Sequence, residues 1–190
     1  DGGKSFQIDT PRTPTPWINV LANERYGLVL SQAGGGFSWF ENCQLCRITR
    51  WEQDLIQDRM GRFLYLQDLE DGSIWSTTYQ PTLQQGAPDE IHHSMGSTTF
   101  VRGIHGIQSQ QTVFLPLSDP CEVWIVRLHN LSARRRKLRF ASYLEWQLGS
   151  VGDWHREFHR LFVETRAVGQ SLLAWKHPGL LENHRGQPES

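Results

Sequence analysis

Apolar positions along this chain recur at a spacing of two, in short runs separated by turn residues. Residues 123–129 (VWIVRLH) alternate in this way, and so do residues 138–146 (LRFASYLEW). A period of two sends successive side chains to opposite faces of an extended backbone, so each run predicts a half-buried strand. Residues 26–31 (YGLVLS) read as a buried strand, Gly34, Gly35 and Gly36 as a tight turn, and residues 37–40 (FSWF) as the returning strand. Residues 61–67 (GRFLYLQ), a turn over 68–72 that ends in Asp-Gly, and residues 73–76 (SIWS) predict a second hairpin. Further strands are expected over 98–102, 107–115, 121–130, 137–148, 162–165 and 172–176. No segment carries an apolar stripe of helical period over eleven residues. Roughly ten short strands, with turns every 8–12 residues, predict an all-β sandwich or barrel.

Length and charge narrow the class. At 190 residues the chain suits one large domain or two small ones, and it can bury about 70% of its unfolded surface. We expect an extended lead-in over 1–16, where Pro11, Pro14 and Pro16 remove backbone donors, and one sandwich domain over 17–190. A net charge of −1 gives no global field for nucleic acid or an anionic membrane, so nucleic-acid partners are not expected. The one dense basic run, residues 134–137 (RRRK), follows a turn signal; it reads as a solvated hairpin tip or as a patch for phosphate or an acidic partner. Three cysteines cannot close into a disulfide framework, which fits a reducing compartment. No apolar run approaches the roughly 20 residues of a membrane helix, and no signal peptide is legible. Beginning at Asp1, the chain reads as a piece of a longer protein whose sandwich continues beyond residue 190.

Candidate chemistry is sparse. Cys43 and Cys46 form a CxxC without the helix a redox pair needs or the second pair a zinc site needs, so they read as half-buried strand cysteines. His92, His93 and His105 are candidate metal ligands, but neighbours on a strand face opposite ways, and structural or loop roles are expected. Gly34 to Gly36 lack the third glycine and the following helix of a dinucleotide loop. The carboxylates Asp68, Glu70, Asp71, Asp89 and Glu90 fall in polar turns; Glu145 alone has apolar neighbours, as a raised-pKa general acid requires. No catalytic residue and no metal ligand is therefore assigned.

Eight tryptophans suggest sugar binding, because an aromatic face stacks on the C–H face of a pyranose. Trp17, Trp39, Trp75, Trp124 and Trp146 lie in strand-like runs and are expected in the core. Trp51 and Trp154 sit among polar residues and are expected as exposed platforms. Residues 152–160 (GDWHREFHR) gather aromatic, cationic and acidic groups between strands, where binding residues concentrate; an ordinary charged loop is the other reading.

Several segments together resemble the N-terminal sandwich of glycoside hydrolase family 94. They are residues 15–19 (TPWIN), the Gly27 to Trp39 strand and turn, and YLQD at 65–68 with GSIWS at 72–76. LPLSDP at 115–120 and SYLEW at 142–146 complete the set. Thr77 stands where the family often has proline, and residues 93–98 read HSMGST where HGxGYT is usual. AGGGFSW at 33–39 and EWQLG at 145–149 look nearest the cyclic β-1,2-glucan synthase branch. The resemblance implies a two-layer antiparallel supersandwich, galactose mutarotase-like, joined to an (α/α)6 barrel of the same protein. The barrel carries the catalytic acid, and inorganic phosphate as co-substrate attacks the anomeric carbon with inversion; no cofactor is implied. In such phosphorylases an aromatic-Gln-Arg loop reaches towards a partner subunit's active site. Phe158, His159 and Arg160 stand at that core here, so the resemblance makes Trp154, Phe158, His159 and Arg160 the candidate substrate-binding residues. It also implies a carbohydrate partner (a β-glucan or oligosaccharide), leaves homodimerisation open, and places a soluble fragment at the cytoplasmic face of a parent whose inner-membrane association is open. The alternative is a stand-alone sugar-binding or mutarotase-like enzyme, using His93 or His105 with Glu145.

Overall fold

The computed structural model describes residues 4–52, 58–150 and 160–177. These form fifteen strands and one 3-10 turn. In chain order the strands are β1 (Ser5–Ile8), β2 (Ile18–Ala22), β3 (Tyr26–Ser31), β4 (Gly36–Phe40) and β5 (Arg47–Thr49). Next come β6 (Phe63–Asp68), β7 (Ile74–Ser76), β8 (Asp89–Ser94), β9 (Ser97–Ile104) and β10 (Ile107–Phe114). The last are β11 (Val123–Asn130), β12 (Leu138–Tyr143), β13 (Trp146–Gly149), β14 (Val163–Val168) and β15 (Ser171–Lys176), with the 3-10 turn at Arg160–Phe162.

The first sheet runs β1-β8-β9-β10-β11, the second β13-β5-β4-β3-β2, the third β12-β6-β7, and β14-β15 form a ribbon. Every pairing is antiparallel. Alternate residues of β9 and β10 are buried, and Ile107↔Ile104 and Val113↔Thr98 are cross-strand partners, so one face of the first sheet is covered. The second sheet covers one end of that face: Leu21, Leu28 and Leu30 pack with Val113, against Leu115 and Trp124. The third covers the other: Leu66 and Trp75 pack with Ile104 and Ile107. Each fully buried apolar side chain of this kind stabilises the fold by about 1.5–3 kcal/mol. The product is a two-layer antiparallel sandwich, the all-β class expected.

Two element boundaries differ from the sequence pattern. Residues 137–148 read as one alternating strand, but β12 joins the third sheet and β13 the second, with the break at Leu144 and Glu145. Alternation persists across a strand that changes sheets, so periodicity alone hides the corner. Beyond the break the β13–β5 register shifts, and Leu148 takes a φ of 48°. Asp89 and Glu90, expected in a polar turn, begin β8; within the lead-in, Ser5–Ile8 pairs with β8 as the outer strand of its sheet.

Candidate functional site

Two clefts open where the lead-in meets the sandwich. The larger, about 550 Å3, lies between residues 11–16, the glycine turn and the loop that follows β7. Several of its polar groups are engaged with one another. Arg12 Nε donates to the Tyr79 hydroxyl at 3.1 Å, and the guanidiniums of Arg12 and Arg102 lie 5.7 and 5.8 Å from the centre of the Tyr79 ring. Gln32 donates through Nε2 to the Pro11 carbonyl at 3.0 Å. Asp58 accepts a short hydrogen bond from Ser31 Oγ, which itself accepts from the amides of Ala33 (3.2 Å) and Gly35 (2.9 Å). This cleft is a fastened seam joining lead-in, turn and loop.

The smaller cleft, about 370 Å3, lies between the outer strands β1 and β2 and includes Phe6, Gln7, Trp17, Asn19 and His93. A buried polar network builds it. His93 is 6% exposed, with Nε2 3.3 Å from the Trp17 carbonyl and Nδ1 3.1 Å from Thr98 Oγ1. A carbonyl only accepts, so the ring proton belongs on Nε2 and Nδ1 accepts from the hydroxyl. The same hydroxyl accepts from Asn19 Nδ2 at 3.1 Å, which also donates to the Ser94 carbonyl at 2.8 Å. Burial pushes the His93 imidazole below its ordinary pKa, against the opposing pull of the Trp17 carbonyl. On its other side the Trp17 amide donates to Gln32 Oε1 at 2.7 Å, and the Gln32 amide donates back to the Trp17 carbonyl at 3.0 Å.

The tryptophans sort differently from the sequence reading. Trp75 is buried in the core as expected, but Trp17 is 52% exposed. Ile18 and Val20 face outwards on β2 while Leu21 faces in, so the apolar run around Trp17 does not mark the inner face. Trp51, expected as an exposed platform, is half-buried: its ring lies 5.1 Å from Phe37, whose face is covered by Arg47 at 3.9 Å. Of the four candidate substrate-binding residues, Trp154, Phe158 and His159 lie outside the described residues. Arg160 begins the 3-10 turn that leads into β14.

The remaining candidates resolve into structural partners. Glu145 accepts from Arg50 at 3.2 Å and from the Tyr143 hydroxyl at 2.7 Å, outside the apolar pocket a general acid needs. His93 lies in the first sheet, and His105 sits in the β9–β10 turn at a φ of 52° with its ring edge-on to Trp75 at 5.3 Å. Neither bonds Glu145. His92 and His93 do face opposite ways, His92 reaching Glu90 at 3.5 Å. Cys43 and Cys46 are exposed in the turn after β4, held by Asn42, and not in a strand. Among the described residues no three His, Cys, Asp or Glu side chains gather as a metal site.

Arg134 and Arg136 meet the acidic turn of the second hairpin. Arg136 Nε donates to Asp68 Oδ2 at 2.7 Å, and Arg134 Nη1 donates to Glu70 Oε2 at 2.8 Å. The Glu70 amide and Arg136 hold the Asp68 carboxyl below the usual carboxylate range. The basic run therefore serves an intramolecular clasp at these two positions, with the Arg136 side chain only 4% exposed.

An antiparallel sandwich whose corner strands change sheets, with a proline-rich lead-in sealed along one side, defines a supersandwich module. The match is specific: residues 4–185 fit the glycosyl hydrolase 94 supersandwich domain, and the chain belongs to that family. It is 30% identical over 152 residues to an N,N'-diacetylchitobiose phosphorylase of Vibrio furnissii, covering 79% of this chain and 19% of that protein. It is 31% identical over 138 residues to the cyclic beta-(1,2)-glucan synthase NdvB of Rhizobium meliloti, covering 73% of this chain and 5% of the synthase. A 3-O-beta-D-glucopyranosyl-beta-D-glucuronide phosphorylase of Paenibacillus borealis is 33% identical over 149 residues, 78% of this chain and 18% of its own length. The chain thus spans a fifth or less of these relatives, and both phosphorylases and a glucan synthase match at similar identity.

Proposed function

We propose that this chain is the non-catalytic, carbohydrate-associated sandwich of a family 94 glycoside phosphorylase or cyclic β-glucan synthase. In this reading it supports an inverting phosphorolysis site in a separate (α/α)6 barrel of the same protein. Inorganic phosphate is the co-substrate there, and a homodimer can bring the segment around Trp154 to Arg160 to a partner's site. The observation that carries this reading is the family match over 4–185 in a chain that covers 19% of a phosphorylase relative. The chemistry of the described residues supports it. Glu145 is held by Arg50 and Tyr143, and both ring nitrogens of His93 are engaged in the fold. The stand-alone mutarotase-like reading needs His93 or His105 and Glu145 within hydrogen-bond reach of a shared substrate; His93 and Glu145 are tied to these partners, and His105 lies edge-on to Trp75 in the β9–β10 turn.

The test is phosphorolysis. Incubated with β-linked glucosides and inorganic phosphate, the isolated chain is expected to release no glycosyl phosphate, whereas the full protein with its barrel does. Robust turnover by the chain alone would overturn the assignment.

A further inference from the structure

Trp17 and Phe6 are 52% and 72% exposed, and both border the smaller cleft between β1 and β2. An isolated exposed aromatic is unremarkable, but two beside one concavity mark a surface made for contact. The support beneath Trp17 is the stronger observation. Its amide is bound by Gln32 and its carbonyl by both Gln32 and His93, and Gln32 and His93 are 4% and 6% exposed. A network of buried polar groups, each costly unless satisfied, thus fixes the main chain of a residue that is itself half exposed. Besides what these bonds add to stability, a fixed main chain beneath an exposed ring leaves a binding surface with less ordering entropy to lose on association.

Polar groups around the rings remain open. Among the described residues the Trp17 indole N–H, Gln7 Oε1 and Asn19 Oδ1 have no hydrogen-bond partner, although Asn19 Nδ2 is fixed by three. Among the described residues that line the cleft there is no carboxylate, and Lys4 is the one side chain with a fixed charge. Flat aromatic faces beside uncharged donors and acceptors match a neutral pyranose, which presents a C–H face and a rim of hydroxyls.

We propose that this cleft is a saccharide-binding subsite for a neutral β-linked gluco-oligosaccharide. Trp17 and Phe6 stack on sugar faces, and the Trp17 N–H, Gln7 and Asn19 bond hydroxyls. The inference rests on the carbohydrate association proposed above and adds the place where sugar is held, remote in sequence from residues 154–160.

The experiment is native affinity electrophoresis of the full chain in gels containing soluble β-glucan, with titration calorimetry against cellopentaose, laminaripentaose and linear β-1,2-glucopentaose. Wild type is expected to be retarded by at least one of these glucans. Trp17→Ala should weaken binding about tenfold or more and Phe6→Ala by a smaller factor, as expected for losing a stacked ring. Leu117→Ala, at a 94% exposed position outside the cleft, should bind as wild type. Unfolding midpoints separate lost binding from lost folding. Absence of binding, or binding indifferent to both aromatic substitutions, overturns the subsite. So does a Trp17→Ala variant whose only effect is on the oligomeric state of the full protein, which would make this a packing face. Phosphorolysis by the full protein is scored separately. Activity without Trp17-dependent retention removes the subsite alone, and Trp17-dependent retention without phosphorolysis removes the proposed function alone.

Discussion

Arg102 grips Asp89 with two parallel hydrogen bonds, Nε to Oδ1 at 2.7 Å and Nη2 to Oδ2 at 2.9 Å, across directly opposed positions of β9 and β8. The guanidinium is 2% exposed, and its other hydrogens reach beyond the sheet to the Thr78 carbonyl and, at 2.5 Å, the Gln84 carbonyl. One side chain therefore joins the first sheet to the loop that walls the larger cleft. Arg102→Met should cost about 3–5 kcal/mol, because it leaves the Asp89 carboxylate and two loop carbonyls unmatched in the interior. Arg102→Lys should recover only part of this, since an ammonium cannot reproduce the planar fork. Urea unfolding of both variants measures it; a Lys variant as stable as wild type would show that charge alone suffices.

Gly36 is required by its backbone. Its φ is 139°, and a Cβ there would lie 2.0 Å from the Val29 carbonyl oxygen. Gly36→Ala should destabilise by about 1–3 kcal/mol, because it must open the β3–β4 pairing to relieve the clash. Gly96, in the β8–β9 turn, has nothing within 4 Å of its would-be Cβ, and Gly96→Ala should leave the thermal midpoint nearly unchanged. The pair of melting curves separates a glycine that the fold needs from one it tolerates.

The hairpins β3–β4 and β6–β7 are legible in the sequence because glycine and Asp-Gly punctuate them. β10 is harder. Its buried residues include Ser109 and Gln111, so an inner face that reads as polar conceals the alternation. The reason is specific: Gln111 accepts from the Thr77 hydroxyl, and Ser109 lies opposite Arg102, so this face packs on a polar loop as well as on leucines. Trp17 fails for the opposite reason. On β2 the apolar Ile18 and Val20 point outwards, while Asn19 points to the network beneath. Neighbouring hydrophobicity thus assigned it to the core, and only the partners of its main chain reveal the cleft. The family was legible through its motifs; the geometry of the β1–β2 cleft was not, because it depends on residues some 75 positions apart in sequence.

Cys43, Cys46 and Cys121 are all free and exposed. All three thiols should therefore react with a disulfide reagent in the native state, without denaturant, since access is already open. Cys43→Ser with Cys46→Ser should change stability by no more than about 0.5 kcal/mol, the range of surface substitutions without special contacts. Counting thiols by absorbance before and after unfolding checks the first statement. Slow or partial native reaction would mean that the turn held by Asn42 shields its sulfurs.

His93 sets a pH dependence whose sign follows from its burial. The imidazole is pushed below its ordinary pKa of 6.5, so in acid the unfolded chain takes up a proton before the folded one does. Stability from this residue is complete above about pH 6.5, and it declines as pH falls from there towards the folded-state value. Protonation would also place a hydrogen on Nδ1, against the hydroxyl that now donates to it from Thr98. Unfolding free energy measured from pH 8 to pH 5 should fall at the acid end. In His93→Gln that part of the slope should disappear, at a cost of about 1–3 kcal/mol at neutral pH for the disturbed buried hydrogen bonds. An unchanged slope in the variant would assign the acid sensitivity elsewhere. Because the same ring holds the Trp17 carbonyl, the indole should report the event, and a shift in Trp17 fluorescence that tracks the loss of stability would tie the buried histidine to the exposed ring.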